Sequence, residues 1–446
     1  MMFFVLFFLL TLFLLLSVKV GENIVDIKTF STTSLGSFSF ICNVTSSFIG
    51  GIFILGNIEN GFYYGISPLI GFLGFPFQLL LVGLMISPRR IKALTVGEMC
   101  ELYYGKYFRI FMGLVVTIFN LSVITAMIYS MSLALTSFGP IAVVSTVICS
   151  LIFLLCCCYG GVITAVYLGV LQFLIMLLGV LIGTLVVIFC CEGVGGFFAA
   201  IPSGHFHFPD GHSYAKIFSI FIGFSLGNAL MPPVLQTINL AQTKGQARSG
   251  YLMASFFIAL FALFFTLCGM GFAAFNVGSL GDLFKNAFLL MPFWLKVFAA
   301  FGLLIAALSS VDTFLNIAST AFVKDVVKFL DSEVDELKAV RLCVFVFGFI
   351  CLFPVLFISS DLFDVLFFIY KFWGPLLAAV LIGIHFKKPI QIKHFWVISF
   401  LTLCAMGLWN ILGLEGKTDI SDLVIGLGVN FLLYGLARGT QRQTQV

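Results

Sequence analysis

The chain has 446 residues, of which 61% are hydrophobic, 16% are aromatic and only 9% are charged, and its formal net charge is +4 at pH 7. This composition is typical of a membrane protein, because apolar stretches long enough to cross a bilayer recur from end to end. The basic residues do not gather into a surface for nucleic acid, and no segment between the apolar stretches is long enough to bury a core of its own.

The apolar stretches predict an all-α membrane protein with about thirteen transmembrane helices, since one crossing needs roughly 20 apolar residues. The first stretch has no basic segment before it and no small-residue cleavage site, which favours a membrane helix over a signal peptide. The predicted crossings lie near residues 2–18, 38–58, 64–88, 108–136, 140–158, 161–190, 215–238, 249–275, 291–322, 338–358, 361–386, 394–413 and 420–437.

Lysine and arginine predict the orientation, because cytoplasmic loops carry an excess of both. Basic residues concentrate in the loops around 89–109, 244–248, 324–341 and 387–393. These loops share one side of the membrane if the crossings alternate. We therefore expect a multi-pass protein of the cell (inner) membrane, with its N-terminus outside and its C-terminus in the cytoplasm.

Two of the predicted crossings contain helix-breaking residues. The second carries Gly50-Gly51 and Leu55-Gly56-Asn57, and the seventh carries Leu226-Gly227-Asn228 followed by Met231-Pro232-Pro233. Each break opens a set of five crossings, 38–190 and 215–386, and paired interruptions in two halves indicate a transporter binding site. The structural alternative is that the glycines only allow close helix packing.

The ninth crossing carries an unusually polar face. Ser309, Thr313, Asn316 and Thr320 recur at helical spacing, and Ser310 and Asp312 flank them. Hydroxyl and carbonyl oxygens are hard ligands that suit a small cation, so this face predicts a sodium site. Hydrogen bonding between helices is the competing interpretation.

Asp312 and Lys371 lie deep in predicted crossings and Glu59 lies near the outer end of the second, where ionisable groups indicate function; the other charged residues lie in loops or near helix ends. Lys371 lies about ten residues into its helix, roughly 15 Å along the axis, which is too deep for its ammonium to reach water easily. It is expected either to contact a solute or ion, or to pair with Asp364 two turns away.

These features resemble the sodium:solute symporter family, whose ninth crossing has a similar run of small and hydroxyl residues that ends in an Asp such as Asp325. Two further segments match in order. Residues 160–172 resemble the Gly-Gly start of the family's sixth crossing, and residues 240–250 resemble the loop after the seventh. The similarity spans roughly residues 38–390.

The resemblance implies a core of two inverted five-helix repeats, 38–190 and 215–386, with a leading helix in 1–20 and two accessory helices in 394–446. It implies secondary active transport by alternating access, with sodium as the coupling ion. Carried over by position, the sodium ligands would be backbone oxygens of Ser46, Ile49 and Ala306 and hydroxyls of Ser309 and Ser310, with Asp312 and Thr313 involved in coupling.

The solute would lie between the second, third, seventh and eleventh crossings, beside Phe48, Phe53, Asn57, Asn228 and Lys371. Two positions depart from the family: Gly169 stands where many members have an Asp, and Thr237 stands where an Arg is frequent. A second ion site and an inner gate contact are therefore not expected. Residues 47–51 and 358–362 resemble the choline-transporting branch, but the charge of Lys371 favours an anionic or zwitterionic solute.

Three other functions remain possible from the sequence. A proton-coupled carrier of the same fold could use Lys371 as its titratable group. His205, His207 and His212 with Asp210 could bind zinc, although a solvated loop explains them as well. A membrane sensor that does not transport would normally carry a signalling domain, and an enzyme would need a reactive constellation that the sequence does not contain.

Overall fold

The computed structural model describes residues 11–443 except 13–14, 17, 20, 23, 32, 86–92, 137–141, 191, 209–212, 228–230, 274–292 and 356–361. Almost all of these residues are helical, and none of them belongs to a β-strand. A single parallel bridge joins Leu35 to Ala241. The expected all-α class is therefore confirmed.

Between residues 27 and 200, the described residues form nine helices, which we number in chain order. Two of them, α2 and α3, follow each other across a two-residue break. The bounds are α1 Ile27–Ser31, α2 Ser37–Phe48, α3 Gly51–Tyr64, α4 Ser67–Phe72, α5 Gly74–Met85, α6 Val96–Tyr104, α7 Lys106–Thr136, α8 Ala142–Cys190 and α9 Val194–Ala200.

The remaining helices begin after a short 3₁₀ turn at Ser203–Phe206. Two π-helical segments, Gly223–Gly227 and Val323–Val327, interrupt this part of the chain, and a second 3₁₀ turn covers Ile238–Leu240. The helices are α10 Tyr214–Ile222, α11 Pro232–Thr237, α12 Lys244–Ala273, α13 Phe293–Phe322, α14 Lys328–Leu330, α15 Glu336–Val355, α16 Leu362–His385, α17 Ile392–Ile411, α18 Leu414–Thr418 and α19 Asp422–Gln443.

Both predicted helix breaks are confirmed. Helix α2 ends at Phe48, Ile49 leaves the helical region with φ −92° and ψ 73°, and the axis turns by 59° before α3 continues. The second break bends the chain by 45° between residues 214–227 and 232–240. Asn228 lies outside the described residues.

The predicted count of thirteen crossings is not confirmed. Among the described residues, eight helices are long and apolar enough to span a membrane, and the two bent pairs bring the number up to ten. These ten coincide with predicted crossings. The first predicted crossing lies largely outside the described residues. The fifth and sixth both lie within Ala142–Cys190, where Gly161 has non-helical backbone angles, φ 50° and ψ −151°, and separates two helical stretches.

Glycines bring the first broken helix into direct backbone contact with α12. A β-carbon at Gly269 would lie 2.1 Å from the carbonyl oxygen of Ile58, and one at Gly61 would lie 2.3 Å from the carbonyl oxygen of Thr266. Neither obstacle is a flexible side chain, so this approach requires glycine on both helices. It fixes α3 against the bundle.

We expect Gly269→Ala to lower the thermal stability of the protein, because the added methyl group must push α12 away from the α3 backbone. Overpacking of this kind costs about 1–3 kcal/mol. Gly407→Ala is the matched control, since nothing lies within 4 Å of its β-carbon position. Melting followed by tryptophan fluorescence in detergent compares the two variants, and equal melting temperatures would contradict the close approach.

Candidate functional site

The first helix break rests directly on α7 and α13. A β-carbon at Gly50 would lie 2.7 Å from the Ser310 hydroxyl oxygen and 2.5 Å from the Met127 sulfur, and one at Gly51 would lie 2.3 Å from the Ser130 hydroxyl oxygen. No side chain fits in this space. The two glycines are therefore needed for contact between the break and α13, as well as for ending α2.

Oxygen atoms from both helices meet at this contact. The Ser310 hydroxyl donates to the Ser47 carbonyl at 3.1 Å, and the hydroxyls of Ser47 and Thr313 lie 3.0 Å apart. The last carbonyls of α2 have lost the amides that a continuing helix would supply. Because freed carbonyls at membrane depth are tolerated where they bind something, this arrangement suits a dehydrated cation.

The predicted sodium ligands converge here in part. Ser46, Ile49, Ala306 and Ser310 are all fully buried, at 1% exposure or less, around the break and the facing stretch of α13. Ser309 is helical in α13, but its side chain lies outside the description. The residues present, two backbone segments and serine hydroxyls, are chemically suited to sodium.

Gly169 of α8 closes the same region from a third side. A β-carbon there would lie 3.2 Å from the Asn43 amide nitrogen and 3.4 Å from the Ser46 hydroxyl oxygen. The position is therefore adjacent to the predicted sodium ligands. A longer side chain would have to displace Asn43 or Ser46.

The C-terminal part of the polar face of α13, which carries Asn316 and Thr320, has a different role. Thr320 shares a 2.7 Å hydrogen bond with Ser31, and the Asn316 amide donates to the Phe30 carbonyl at 3.3 Å. These contacts hold α1 against α13. The sequence left a sodium site and hydrogen bonding between helices open for this face, and the structure shows the second role for Asn316 and Thr320.

Asp312 and Thr313, both predicted to take part in coupling, point in different directions. Thr313 contacts Ser47 at the break. Asp312 is 3% exposed and interacts with the Cys157 thiol of α8, and its Oδ1 has no hydrogen-bond partner among the described residues. Of these two residues, Thr313 therefore lies at the break and Asp312 faces α8.

An aromatic cluster occupies the position where the sequence predicts the solute. Phe75 lies 4.2 Å from Phe224 and 5.7 Å from Phe53 between ring centroids, and Tyr370 lies 6.0 Å from Phe224. The cluster joins both broken helices to α5, α7, α12 and α16. Its members are Phe53, Phe75, Phe119, Phe224, Phe265, Tyr370 and Trp373, and each is less than 9% exposed.

Buried polar atoms border the aromatic cluster. The Asn57 amide nitrogen donates to the Phe53 carbonyl at 2.7 Å, while its oxygen has no partner among the described residues. The Trp373 indole nitrogen is likewise buried without an acceptor. Such groups are stabilised when a ligand completes their hydrogen bonds. Phe48, the remaining described solute candidate, is buried on α2 at 7% exposure.

Lys371 has an ion-pair partner that the sequence did not suggest. Its ammonium lies 2.7 Å from the Asp422 carboxylate and 3.8 Å from that of Glu415. The Asn410 amide also donates to Asp422, at 2.7 Å. The trailing helices therefore neutralise Lys371, and the side chain of Asp364 lies outside the description.

We expect Lys371→Gln to lower the free energy of unfolding by roughly 2 kcal/mol, because it leaves Asp422, which is 3% exposed, without its cation. The loss is smaller than that from breaking a fully buried pair because the Lys371 side chain is 24% exposed. Neutralising both partners in Lys371→Gln/Asp422→Asn should restore most of the loss. Thermal melting and solute uptake are measured on the same preparations. If the double variant is as impaired in uptake as Lys371→Gln, the lysine acts on the solute and not through the pair.

The sequence did not predict a second cluster at the end of the bundle where α7 begins. Arg109 contacts three carboxylates, those of Asp325 at 2.7 Å, Glu101 at 2.7 Å and Glu98 at 3.3 Å. A β-carbon at Gly97 would lie 2.3 Å from an Asp325 oxygen, so α6 approaches the aspartate closely. This arginine cluster fastens α6 and α7 to the π-helical segment that follows α13. Its sequence signals were the basic residue at the start of an apolar helix and Asp325 at the end of the family-like polar run.

Glu98 is the member of the arginine cluster that lies on the short helix α6. Burial raises the pKa of its carboxyl, but the Leu94 amide and the Lys324 and Arg109 cations outweigh burial, so the pKa is lowered from its ordinary value of 4.5. A carboxyl whose pKa is lowered in the folded state stabilises the fold fully at pH values above its ordinary pKa, and this stabilisation is lost as the pH falls through the lowered pKa.

We therefore expect Glu98→Gln to reduce the loss of thermal stability between pH 7 and pH 3 by up to about 1 kcal/mol, the range of a partly exposed ion pair. Melting temperatures at a series of pH values, compared with those of the exposed control Glu333→Gln, provide the measurement. Parallel pH curves for the wild type and Glu98→Gln would contradict the stabilising contribution of this carboxylate.

The histidine loop gives no support for zinc. The His205 ring nitrogen hydrogen-bonds the Phe62 carbonyl at 2.9 Å. Asp210 and His212 lie outside the described residues, and the described part of the chain has no group of three or more side chains suited to a metal.

Comparisons with solved structures identify the fold. A Na⁺-coupled sialic acid symporter in a substrate-bound outward-open state has a TM-score of 0.84 at 18% identity, with 99% of this chain and 98% of that chain covered. MHP1, a nucleobase-cation-symport-1 transporter in a closed conformation with bromovinylhydantoin bound, has a TM-score of 0.68 at 12% identity, covering 94% and 95%. MhsT in complex with L-phenylalanine has a TM-score of 0.58 at 12% identity, covering 91% and 98%.

At the sequence level, no curated protein matches the chain. The profile of the sodium:solute symporter family, in contrast, matches residues 30–391. This match covers most of the chain and confirms the resemblance that the motifs indicated. It also identifies a transport protein of the membrane and not an enzyme. The chain belongs to the sodium:solute symporter family.

Proposed function

We propose that this protein is a secondary active transporter that takes up a small organic solute together with sodium by alternating access. The observation that carries the proposal is the contact between the first helix break and α13, where the Ser310 hydroxyl reaches the Ser47 carbonyl at 3.1 Å. Sodium would bind to backbone oxygens of Ser46, Ile49 and Ala306 and to hydroxyls of Ser309 and Ser310. It is cargo and coupling ion, not a resident cofactor.

The coupling mechanism follows from the position of that site. A sodium ion bound there joins the broken helix to α13 and so favours one conformation, and a solute that binds this conformation better is carried with the ion. The membrane potential adds about 2.3 kcal/mol per charge for each 100 mV to the sodium gradient. Gly169, adjacent to the site, adds no charged group to it.

The moving parts are two inverted repeats, residues 38–190 and 215–386, with a leading helix in 1–20 and accessory helices in 394–446. The bent helices at 37–64 and 214–240 support this division, since each opens one repeat. Their half-helices meet at the aromatic cluster, where small movements of one repeat against the other would expose the solute to either side.

The solute that fits the aromatic cluster best is a small zwitterion. The amides of the first turn of α3 have no acceptor within the helix and favour a carboxylate at the break. Aromatic faces favour the ammonium group. Because Asp422 neutralises Lys371, the charge of Lys371 no longer favours a solute with a net negative charge. Asn228 is proposed as a solute contact from the sequence alone. The structural relatives carry chemically different solutes, so the shared fold does not select among them.

A proton-coupled carrier of the same fold is the nearest alternative. It would use Lys371 as the titratable group, whereas in the structure this ammonium is engaged in an ion pair with Asp422. A sensor that does not transport is the second alternative. Uptake that depends on the sodium gradient would distinguish the proposed sodium-coupled transporter from both the proton-coupled carrier and the sensor.

We expect Ser310→Ala to raise the sodium concentration for half-maximal uptake about 10- to 100-fold, because a contact to a charged group contributes about 1.5–3 kcal/mol. Proteoliposomes with an imposed sodium gradient and a panel of radiolabelled zwitterionic, anionic and cationic solutes provide the measurement. Ser319→Ala is the matched control, since Ser319 is on the same helix and its buried hydroxyl has no partner among the described residues.

Two results would overturn the proposal. Uptake of a transported solute that is unchanged without sodium would exclude sodium coupling, and a proton gradient in its place would support the alternative carrier. An unchanged sodium dependence in Ser310→Ala, with normal protein stability, would exclude this site while leaving sodium coupling intact.

A further inference from the structure

A groove on the outer surface of the bundle lies away from the proposed ion site and adjoins the aromatic cluster, with which it shares Phe119 and Trp373. It lies between α7, α16 and α17, reaches Pro354 of α15, and has a volume of about 850 Å³. Phe368 and Phe400 on its walls are 61% and 66% exposed. Large aromatic side chains at this exposure face lipid in a membrane protein, so the groove opens towards the bilayer.

The lining of the groove is apolar along most of its length. The hydroxyl of Ser122 donates to the Ile118 carbonyl at 2.9 Å, and that of Thr125 donates to the Leu121 carbonyl at 3.0 Å, so both are satisfied within α7. Ser399 differs, because its buried hydroxyl oxygen has no partner among the described residues. The groove thus accepts a hydrocarbon ligand and offers one hydroxyl for a polar group.

One end of the groove carries a basic rim. The rings of Phe111 and Trp396 lie 5.0 Å apart, which joins the beginning of α7 to the beginning of α17. Lys106 is the first residue of α7, Lys393 is the second residue of α17, and both are exposed. Lys387 and Lys388 lie exposed in the turn between α16 and α17, and residues 385–400 contain no acidic residue.

We propose that this groove binds a phospholipid with an anionic headgroup, its acyl chains along the aromatic walls and its phosphate at the basic rim. The charge of the rim selects the headgroup, and the apolar walls account for the chains. The rim lies on the side that the sequence predicts to be cytoplasmic, where anionic lipids of the inner leaflet attract basic residues next to the membrane.

A second copy of this chain fits the groove less well. A symmetric pair in which this face contacts itself would bring two basic rims together, and like charges across an interface cost several kcal/mol. A neutral lipid would fill the walls but leave the four lysines without a counter-charge. The combination of walls and rim therefore favours one anionic lipid molecule.

The test is native mass spectrometry of the full-length protein in detergent, titrated with phosphatidylglycerol or phosphatidylcholine of equal chain length. We expect tighter binding of phosphatidylglycerol. Lys387→Gln/Lys393→Gln should weaken it by up to roughly 30-fold, since each lysine near a membrane surface contributes a factor of about 5. Ser122→Trp, which fills the groove without changing the rim, should weaken binding of both lipids.

Matched controls remove charge or add bulk elsewhere. Lys244→Gln/Lys338→Gln is the charge control, since it removes two exposed lysines that lie away from the residues lining the groove. Leu342→Trp is the bulk control, since it adds a ring on α15 at a residue that is 64% exposed and does not line the groove. Both should bind phosphatidylglycerol as the wild type does. Monodisperse elution and an unchanged melting temperature show that each variant is folded.

Three results would overturn the inference. Equal affinity for the two lipids would exclude headgroup selection by the rim. Unchanged binding in both groove variants would place the lipid elsewhere on the protein. A dimer whose formation is abolished by Ser122→Trp and which excludes phosphatidylglycerol would show that a second copy occupies the groove.

Discussion

The arrangement of the bundle depends on the contact between the first helix break and α13. Ending α2 at Phe48 frees carbonyl groups at a depth where no water can satisfy them, so another element must supply partners. Ser310 and Thr313 supply hydroxyls at this point, and Gly50 and Gly51 allow the approach that brings those hydroxyls within range. The contact positions both the candidate sodium ligands and the half-helix that leads to the aromatic cluster.

Two buried carboxylates are paired with cations away from the break. Asp422 neutralises Lys371, and Arg109 neutralises the fully buried Asp325. Isolated charges would be strongly destabilising at these depths, whereas paired ones hold helices together. The first pair ties α19 to α16, and the second ties α6 and α7 to the π-helical segment that follows α13. The described members of the aromatic cluster are all uncharged, so a charged solute would have to bring its own counter-charge or bind at helix ends.

The polar face of α13 shows how one sequence pattern can serve two purposes. Ser310 and Thr313 face the helix break, while Asn316 and Thr320 hold α1 through Phe30 and Ser31. All four lie at helical spacing and look alike in the sequence. Their partners differ because α1 and α2 cross α13 at different heights, and this crossing depends on residues nearly 300 positions away in the chain.

The sequence by itself determined the all-helical membrane class, most of the crossings and both helix breaks, because hydrophobic length and the backbone chemistry of glycine and proline are local properties. Through its resemblance to the sodium:solute symporter family, it also pointed to Ser46, Ile49, Ala306, Ser309 and Ser310 as candidate sodium ligands. Only the tertiary structure decided that Lys371 pairs with Asp422, that Arg109 gathers three carboxylates, and that Asp312 faces α8. Partner choice between distant side chains depends on helix rotation and crossing, which arise from the packing of the whole bundle and leave no periodic signal in the sequence.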